Sequence, residues 1–377
     1  MADPDADLAH MRAALAVARR GLGNTWPNPA VGCVLVKDGQ VVGRGWTQPG
    51  GRPHAETQAL DRAGEAARGA TAYVTLEPCS HWGRTPPCCD ALIRAGVRRV
   101  VVAAGDPDPR VDGRGLARLR EAGVIVELGL GRAEAEALNA GFARRITRGL
   151  PLVTLKLATT LDGRIATATG ESQWITGPEA RRAAHAIRAR HDAILVGSGT
   201  VLADDPELTC RIPGMSRVKL ARVVADSRLR TPLGAKLVTT ARLVPTWIAT
   251  RTGQKPAALA PYQEAGVEIL PVRRERRGLD LAALLGALAQ RGITRVMAEG
   301  GAGLAAALLR ARLVQRLAWF HAPGIMGGDG LPAVQPLPLD LLSAMPRFRR
   351  ISSRPVGADW LSEYVSEEVE GPCSPES

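Results

Sequence analysis

Ala70-Thr-Ala-Tyr-Val-Thr-Leu-Glu-Pro-Cys-Ser-His-Trp-Gly-Arg-Thr-Pro-Pro-Cys-Cys89 decides the fold of the N-terminal half. Ala72 to Leu76 has the apolar, β-branched and aromatic make-up of a short buried strand. Pro78 ends that strand before Cys79, and Cys88 opens a short helix expected to run to Ala95. Upstream, Pro53 opens a second helix that carries His54-Ala-Glu56 and continues its apolar face at Leu60. A histidine, a carboxylate and two thiol positions therefore fall at two helix starts and one strand end.

A catalytic zinc takes three ligands from protein and keeps a fourth position for water. His54, Cys79 and Cys88 meet that count. Metal binding lowers the pKa of water to about 7, so hydroxide forms at neutral pH. A carboxylate that is not a ligand must then carry the proton to the departing amine, and Glu56 is placed for it. The order H-x-E…P-C…C is that of the zinc deaminases. Their compact form has two residues between the cysteines; here eight separate Cys79 from Cys88. Spacing does not separate Cys88 from Cys89, and His81 could ligate, contact substrate or serve the loop. Residues two apart do not share a helix face, so spacing alone does not bring His54 and Glu56 together.

The surrounding sequence reads as alternating strands and helices. Leu8, Met11, Leu15 and Ala18 recur at helical spacing after Asp7, which reads as the N-cap, and Gly21 and Gly23 close the run. Val31–Val36 and Gln40–Gly45 form a hairpin around Asp38-Gly39. Beyond the quoted stretch come a strand over Arg99–Ala103, a helix near Leu116–Glu121, a strand over Val124–Leu128 and a helix near Arg132–Ile146. The pattern predicts an α/β domain with a largely covered sheet. Gly149-Leu-Pro151 breaks it, and a new apolar strand starts at Leu152-Val-Thr-Leu-Lys-Leu157.

Length and composition agree with two domains, since 377 residues at 45% apolar can fill two cores. Three of the six cysteines fall inside one motif, a metal pattern rather than a disulfide frame. The acidic start Met1-Ala-Asp-Pro-Asp-Ala-Asp7 has no signal-peptide core, and no apolar run approaches the ~20 residues of a membrane span. A cytoplasmic protein without membrane contact is expected. The net charge of +12 is spread over both halves and is carried by arginine, with five lysines in all. Aromatics are 3%, too few for a single-strand stacking platform, so nucleic acid is not expected as a partner. Arg273–Arg277 reads as a solvated turn, and the polar tail from about residue 366 as frayed, with Cys373 outside any metal site.

The quoted stretch, together with Asn24-Thr-Trp-Pro-Asn-Pro-Ala-Val-Gly-Cys-Val-Leu-Val36, resembles the deaminase half of the RibD family, bifunctional enzymes of riboflavin biosynthesis. The long loop between the cysteines is a family trait. Four later segments resemble that family's reductase half: Leu155–Arg164, Gly170–Thr176, Ile194–Pro206 and Ala298–Leu304. The resemblance covers about Asp7 to residue 365. It implies a cytidine-deaminase-like α/β/α domain over 1–147 and a dihydrofolate-reductase-like α/β domain over 148–377. By the same resemblance, His54, Cys79 and Cys88 hold one zinc ion, with Glu56 catalytic beside it in the first turn of its helix. Asn28, Lys156, Asp162, Ser172, Arg188, Leu208, Arg211 and Glu299 match substrate positions, arginine being suited to a phosphate. Ala158, Trp174, Thr200, Asp204, Ser227, Gly300 and Gly301 match positions that hold NADPH. Gly300-Gly301 ends a strand and opens a helix, which turns backbone N–H groups toward phosphate. Thr160 stands where the family pattern leads one to expect serine, with the hydroxyl kept. Thr240–Arg277 matches weakly.

The reaction so implied is zinc-dependent deamination of a phosphoribosylaminopyrimidine, followed by NADPH-dependent reduction of its ribosyl group, in a homo-oligomer. Two other classes stay open on the residues alone. One is a base or nucleic-acid deaminase with a binding-only second domain, against which the Lys156, Asp162 and Glu299 set argues. The other is a structural zinc protein with Cys89 or His81 as fourth ligand, which would leave Glu56 without a task.

Overall fold

A computed structural model describes residues 3–83, 86–215, 220–275 and 278–367. The chain divides into two compact units, Met1–Leu150 with Arg291–Thr294, and Pro151–Gln290 with Arg295–Ser377. The first break follows the C-terminal cap of a helix, where Gly149 adopts φ 64. Parts of the Arg273–Arg277 turn and of the Cys79–Cys88 loop, and the tail from 368 with Cys373, lie outside the described residues.

The first unit runs α1 (Pro4–Ala18), β1 (Gly32–Lys37), β2 (Gln40–Trp46), α2 (Ala55–Ala63), β3 (Thr71–Val74), α3 (Cys88–Arg94), β4 (Arg99–Val102), α4 (Arg114–Glu121), β5 (Ile125–Leu128) and α5 (Arg132–Arg148). Its sheet has the order β2-β1-β3-β4-β5. The β1–β2 hairpin turns on Asp38 and Gly39, both with positive φ. Alternate residues of one strand feed opposite faces. Cys33 and Leu35 join Ala55, Ala59, Leu92 and Leu119 in one core, while Val34 and Val36 join Met11, Leu15 and Ala135 in the other. Helices thus cover both faces, the α/β/α sandwich the sequence predicts.

One local expectation is corrected. The cap of α1 is Asp3, whose carboxylate accepts from the Asp5 and Ala6 N–H groups, with Pro4 at the first helical position. Asp7 lies inside the helix and is buried, and its carboxylate takes the Tyr73 hydroxyl at 2.5 Å and the Arg99 guanidinium at 2.6 Å.

The second unit contains β6 (Leu152–Thr159), β7 (Arg164–Ala166), α6 (Pro178–Arg188), β8 (Ala193–Gly197), α7 (Ser198–Asp204), β9 (Ala221–Ala225), α8 (Lys236–Thr239), β10 (Thr246–Arg251), α9 (Pro256–Glu264), β11 (Glu268–Val272), β12 (Arg274–Glu275) and β13 (Gly278–Leu279). Then follow α10 (Leu281–Gln290), β14 (Arg295–Glu299), α11 (Ala302–Arg310), β15 (Arg316–His321), β16 (Leu331–Pro332), β17 (Phe348–Val356) and β18 (Asp359–Ser366). A nine-stranded sheet has the order β11-β10-β9-β8-β14-β6-β15-β18-β17. Pairing is parallel from β11 to β15 and antiparallel through β18 and β17. The chain leaves β6, winds outward through β8 to β11, then returns to β14 between β8 and β6. In such sheets ligands bind beyond the carboxyl ends of the strands at this reversal. Lys156, Glu299 and Gly197 stand there.

Candidate active sites

In the first unit, close approach of helix to sheet sets the site. A Cβ on Gly45 would come within 2.1 Å of the Ala55 carbonyl oxygen, and one on Gly43 within 2.3 Å of that of Ala59. Glycine in β2 therefore lets α2 lie directly on the strand. His54 occupies the N-cap of α2 without capping it, which leaves the imidazole for other partners. Its Nδ1 is 3.2 Å from Cys88 Sγ and 3.7 Å from Cys79 Sγ, and the Cys88 N–H donates to Cys79 Sγ at 3.3 Å. The three donor atoms all lie within 4.8 Å of one another. Cys89 points away into the core and donates to Asp90 instead. Both thiols are buried, and it is their direction that separates them: Cys88 faces His54 and Cys79, Cys89 faces Asp90.

Glu56 is 4% exposed and lines the same cavity of about 200 Å³. Burial pushes its carboxyl up to about 7, the Cys79 thiolate adding and His54 opposing. The Cys88 thiol's hydrogen bond, with His54 and the Cys88 N–H, holds Cys79 down to about 4 against its burial, and Cys88 is pushed up in turn. His54 is raised, first by its hydrogen bond with Cys79. One imidazole and two cysteine sulfurs, both thiolates once a metal binds, are the donor set that zinc takes. Asn28 and His81 line the cavity, and the buried Nδ1 of His81 has no partner among the described residues.

Several residues here escaped the sequence. Arg52, Asp106, Asp108 and Arg145 also line the cavity. Buried Glu77 accepts N–H groups of Gly113 at 3.0 Å, Gly115 at 2.9 Å and Leu116 at 3.2 Å. It thereby fixes the Pro78-Cys79 turn to the start of α4, where the helix dipole favours an anion. The motif quoted for Cys79 contains Glu77; its partners, almost forty residues on, carried no signal.

In the second unit, Lys156 on β6 is in register with Glu299 at the end of β14. Burial lowers the Lys156 ammonium, with Glu299 opposing. Glu299 forms a two-point pair with Arg188, Nε to Oε1 at 2.5 Å and Nη2 to Oε2 at 2.8 Å, and Arg188 Nη1 donates to the Thr209 carbonyl at 3.0 Å. Burial alone would raise the Glu299 carboxyl; Arg188 and Lys156 hold it down. A cavity of about 500 Å³ gathers Lys156, Ala158, Ser172, Trp174, Arg188, Thr200, Asp204, Leu208, Arg211, Glu299 and Gly300. Trp174 is 67% exposed, with the Arg181 guanidinium 4.6 Å over its ring. Ser227 and Gly301 line an adjoining cavity. Asp162 lines neither: its carboxylate takes the Thr160 hydroxyl at 2.5 Å and the Gly327 N–H at 2.8 Å, tying two loops together. The hydroxyl kept at Thr160 serves that tie. Overlooked by sequence, His185 sits beside Arg188 and Arg211, its Nδ1 accepting the Arg211 N–H at 3.2 Å.

Fold and sites define a zinc-dependent pyrimidine deaminase joined to a reductase. Residues 4–104 match the cytidine and deoxycytidylate deaminase zinc-binding region, and residues 151–362 match the RibD C-terminal domain. The riboflavin biosynthesis protein RibD of Escherichia coli K12 is 46% identical over 361 residues, 94% of this chain and 97% of that one. The Aquifex aeolicus RibD is 44% identical over 86% of this chain and 89% of its own. Among solved structures, Acinetobacter baumannii RibD superposes with TM-score 0.87 at 38% identity, covering 97% of this chain and 99% of that chain. The diaminohydroxyphosphoribosylaminopyrimidine deaminase/5-amino-6-(5-phosphoribosylamino)uracil reductase of Thermotoga maritima gives 0.83 at 32% identity, over 96% and 99%. The chain belongs to the RibD family, whose members join a zinc deaminase to an NADPH-dependent reductase in riboflavin biosynthesis.

Proposed function

We propose that residues 1–147 deaminate 2,5-diamino-6-(5-phospho-ribosylamino)pyrimidin-4(3H)-one and that residues 148–377 reduce the ribosyl group of the product to ribityl. The observation that carries the first step is the convergence of His54, Cys79 and Cys88 beside buried, non-ligating Glu56. Zinc, when bound by those three side chains, supplies the Lewis acidity that makes water a nucleophile at neutral pH. Glu56 takes the proton of the attacking water and delivers it to the leaving amino group, so that the carbon gains oxygen and ammonia departs. A buried carboxylate outside the ligand set suits both transfers. Asn28, which lines the same cavity, holds the pyrimidine.

NADPH, when bound, supplies the hydride for the second step. Backbone shape at Gly300 and Gly301 fits a dinucleotide: both have positive φ, and a Cβ on Gly300 would crowd the Thr200 side chain at 3.0 Å. Ala158, Trp174, Thr200, Asp204 and Ser227 complete that binding surface. Lys156 donates to the ribosyl oxygens, and Glu299, clamped by Arg188, orients the ammonium. Ser172, Leu208 and Arg211 hold the rest of the substrate, Arg211 its phosphate. Asp162 acts on it from the second rank, through the loop it secures. The two cysteines of the metal set, Cys79 and Cys88, form no disulfide, a state that a reducing cytoplasm preserves.

The test is the purified protein with the diaminopyrimidinone, with and without NADPH. Ammonia should appear in both cases and nicotinamide oxidation only after deamination. Oxidation without prior ammonia release would reverse the order of steps.

A further inference from the structure

We infer that Arg230 reads the adenosine 2′-phosphate and so makes this reductase choose NADPH over NADH; the inference rests on the reductase reading of the second unit. The substrate cavity with Lys156 and Glu299 meets a second cavity of about 580 Å³, and Thr200 lines both. Hydride transfer puts the nicotinamide at the Lys156 end, and Gly300-Gly301 lies between. The adenosine must therefore occupy the second cavity, which Ser198, Ser227 and Arg230 line. Among the described residues lining that cavity, Arg230 is the one charged side chain, and none is a carboxylate. Sites that prefer NADH place a carboxylate on the ribose 2′-hydroxyl, whereas an arginine accommodates a 2′-phosphate. The two cofactors differ only there.

The guanidinium is held for the task. Its Nη2 donates to Ser198 Oγ at 2.8 Å, and that serine is buried at the start of α7. The loop that carries it is pinned by Asp226, which accepts the Thr231 N–H at 2.7 Å and hydroxyl at 2.8 Å, and by Tyr262, which donates to the Thr231 carbonyl at 2.6 Å. One nitrogen anchored on serine leaves the rest of the planar fork for a dianion, the geometry in which arginine exceeds lysine.

Dissociation constants of NADPH, NADH, 2′,5′-ADP and 5′-AMP should be measured by calorimetry on the full-length protein and on Arg230→Ala and Arg230→Lys. Wild type should favour NADPH over NADH, and 2′,5′-ADP over 5′-AMP. Arg230→Ala should weaken NADPH and 2′,5′-ADP about 10–100-fold, the loss expected for a charge-assisted hydrogen bond. NADH and 5′-AMP should stay within about twofold, which also shows that the fold survives; Arg230→Lys should fall between. Equal loss of both cofactors in Arg230→Ala, or no loss of NADPH, would overturn the assignment while leaving the reductase standing. Wild type that prefers NADH would do the same. Wild type that binds neither dinucleotide would overturn both.

Discussion

In the proposed deaminase site, Glu56 and Cys88 divide one chemical task between them. Glu56 is buried beside the ligand atoms yet outside the ligand set, so it can accept and return a proton that a coordinated group could not. Glu56→Gln should keep one zinc per chain and lose ammonia release by about 10²–10⁴-fold, because the amide preserves shape without basicity. Metal analysis and an ammonia assay check both halves of that statement; near-normal ammonia release would assign the transfer to another group. Cys88→Ser should lose zinc, and Cys89→Ser should keep it. Retention by Cys88→Ser would place the metal elsewhere. The residue types of this site were legible in the sequence because zinc chemistry restricts them. The choice between Cys88 and Cys89 was not, since it depends on which way the first turn of α3 faces. Asp162, matched to a substrate position, also accepts the backbone N–H groups of Met326 and Gly327, a tie that no local sequence feature signalled.

At the scale of elements, what places the ligands is how closely α2 lies on β2 and how firmly α1 is held to the sheet. Gly45→Ala puts a methyl group into the Ala55 carbonyl and must push α2 outward. Overpacking of this kind costs about 1–3 kcal/mol. The variant should melt lower and bind zinc more weakly, and unchanged zinc affinity would show that α2 does not set the metal site. Asp7 joins α1 to β3 and β4 through Tyr73 and Arg99, and the Arg99 hydrogen bond holds its carboxyl below the ordinary range against the cost of burial. A carboxyl lowered in the folded state stabilises above its unfolded pKa of about 3.9, and that contribution fades as pH falls through the folded value. Asp7→Asn should therefore melt below wild type at neutral pH, by about 1–3 kcal/mol of stability. The gap should close under acid, and a gap that widened there would refute the linkage. Helical spacing revealed α1 but misplaced its start, because Pro4 and Asp3 outrank a later aspartate as a helix beginning. Thr240–Arg277 said little on its own, although β10, α9 and β11 lie within it. Pro261 inside α9 argues locally against a helix, and short buried strands have no periodicity to separate them from helix.

For the whole molecule, the residues proposed for each step fall within one stretch of chain. The metal donors and Glu56 precede Gly149, while Lys156, Arg188 and Glu299 follow it. Sequence order exposed that division, and composition bounded the partners: an arginine excess spread over both halves, with few aromatics, serves an enzyme of small phosphorylated molecules. The pairing of strands far apart in sequence, such as β14 between β8 and β6, came only with the folded sheet. Two self-contained sites should fail independently. A chelator should stop ammonia release and spare reduction of substrate already deaminated. Mixed together, a zinc-free variant and Lys156→Ala should restore the full conversion, because the deaminated product can pass between molecules. The most direct measurement follows ammonia and nicotinamide absorbance together for wild type, Glu56→Gln and Lys156→Ala. Glu56→Gln should lose ammonia release and still oxidise NADPH on the deaminated substrate, whereas Lys156→Ala should release ammonia at the wild-type rate and leave NADPH unoxidised. Loss of deamination in a folded Lys156→Ala that still transfers hydride would contradict the assignment of one site to each half of the chain.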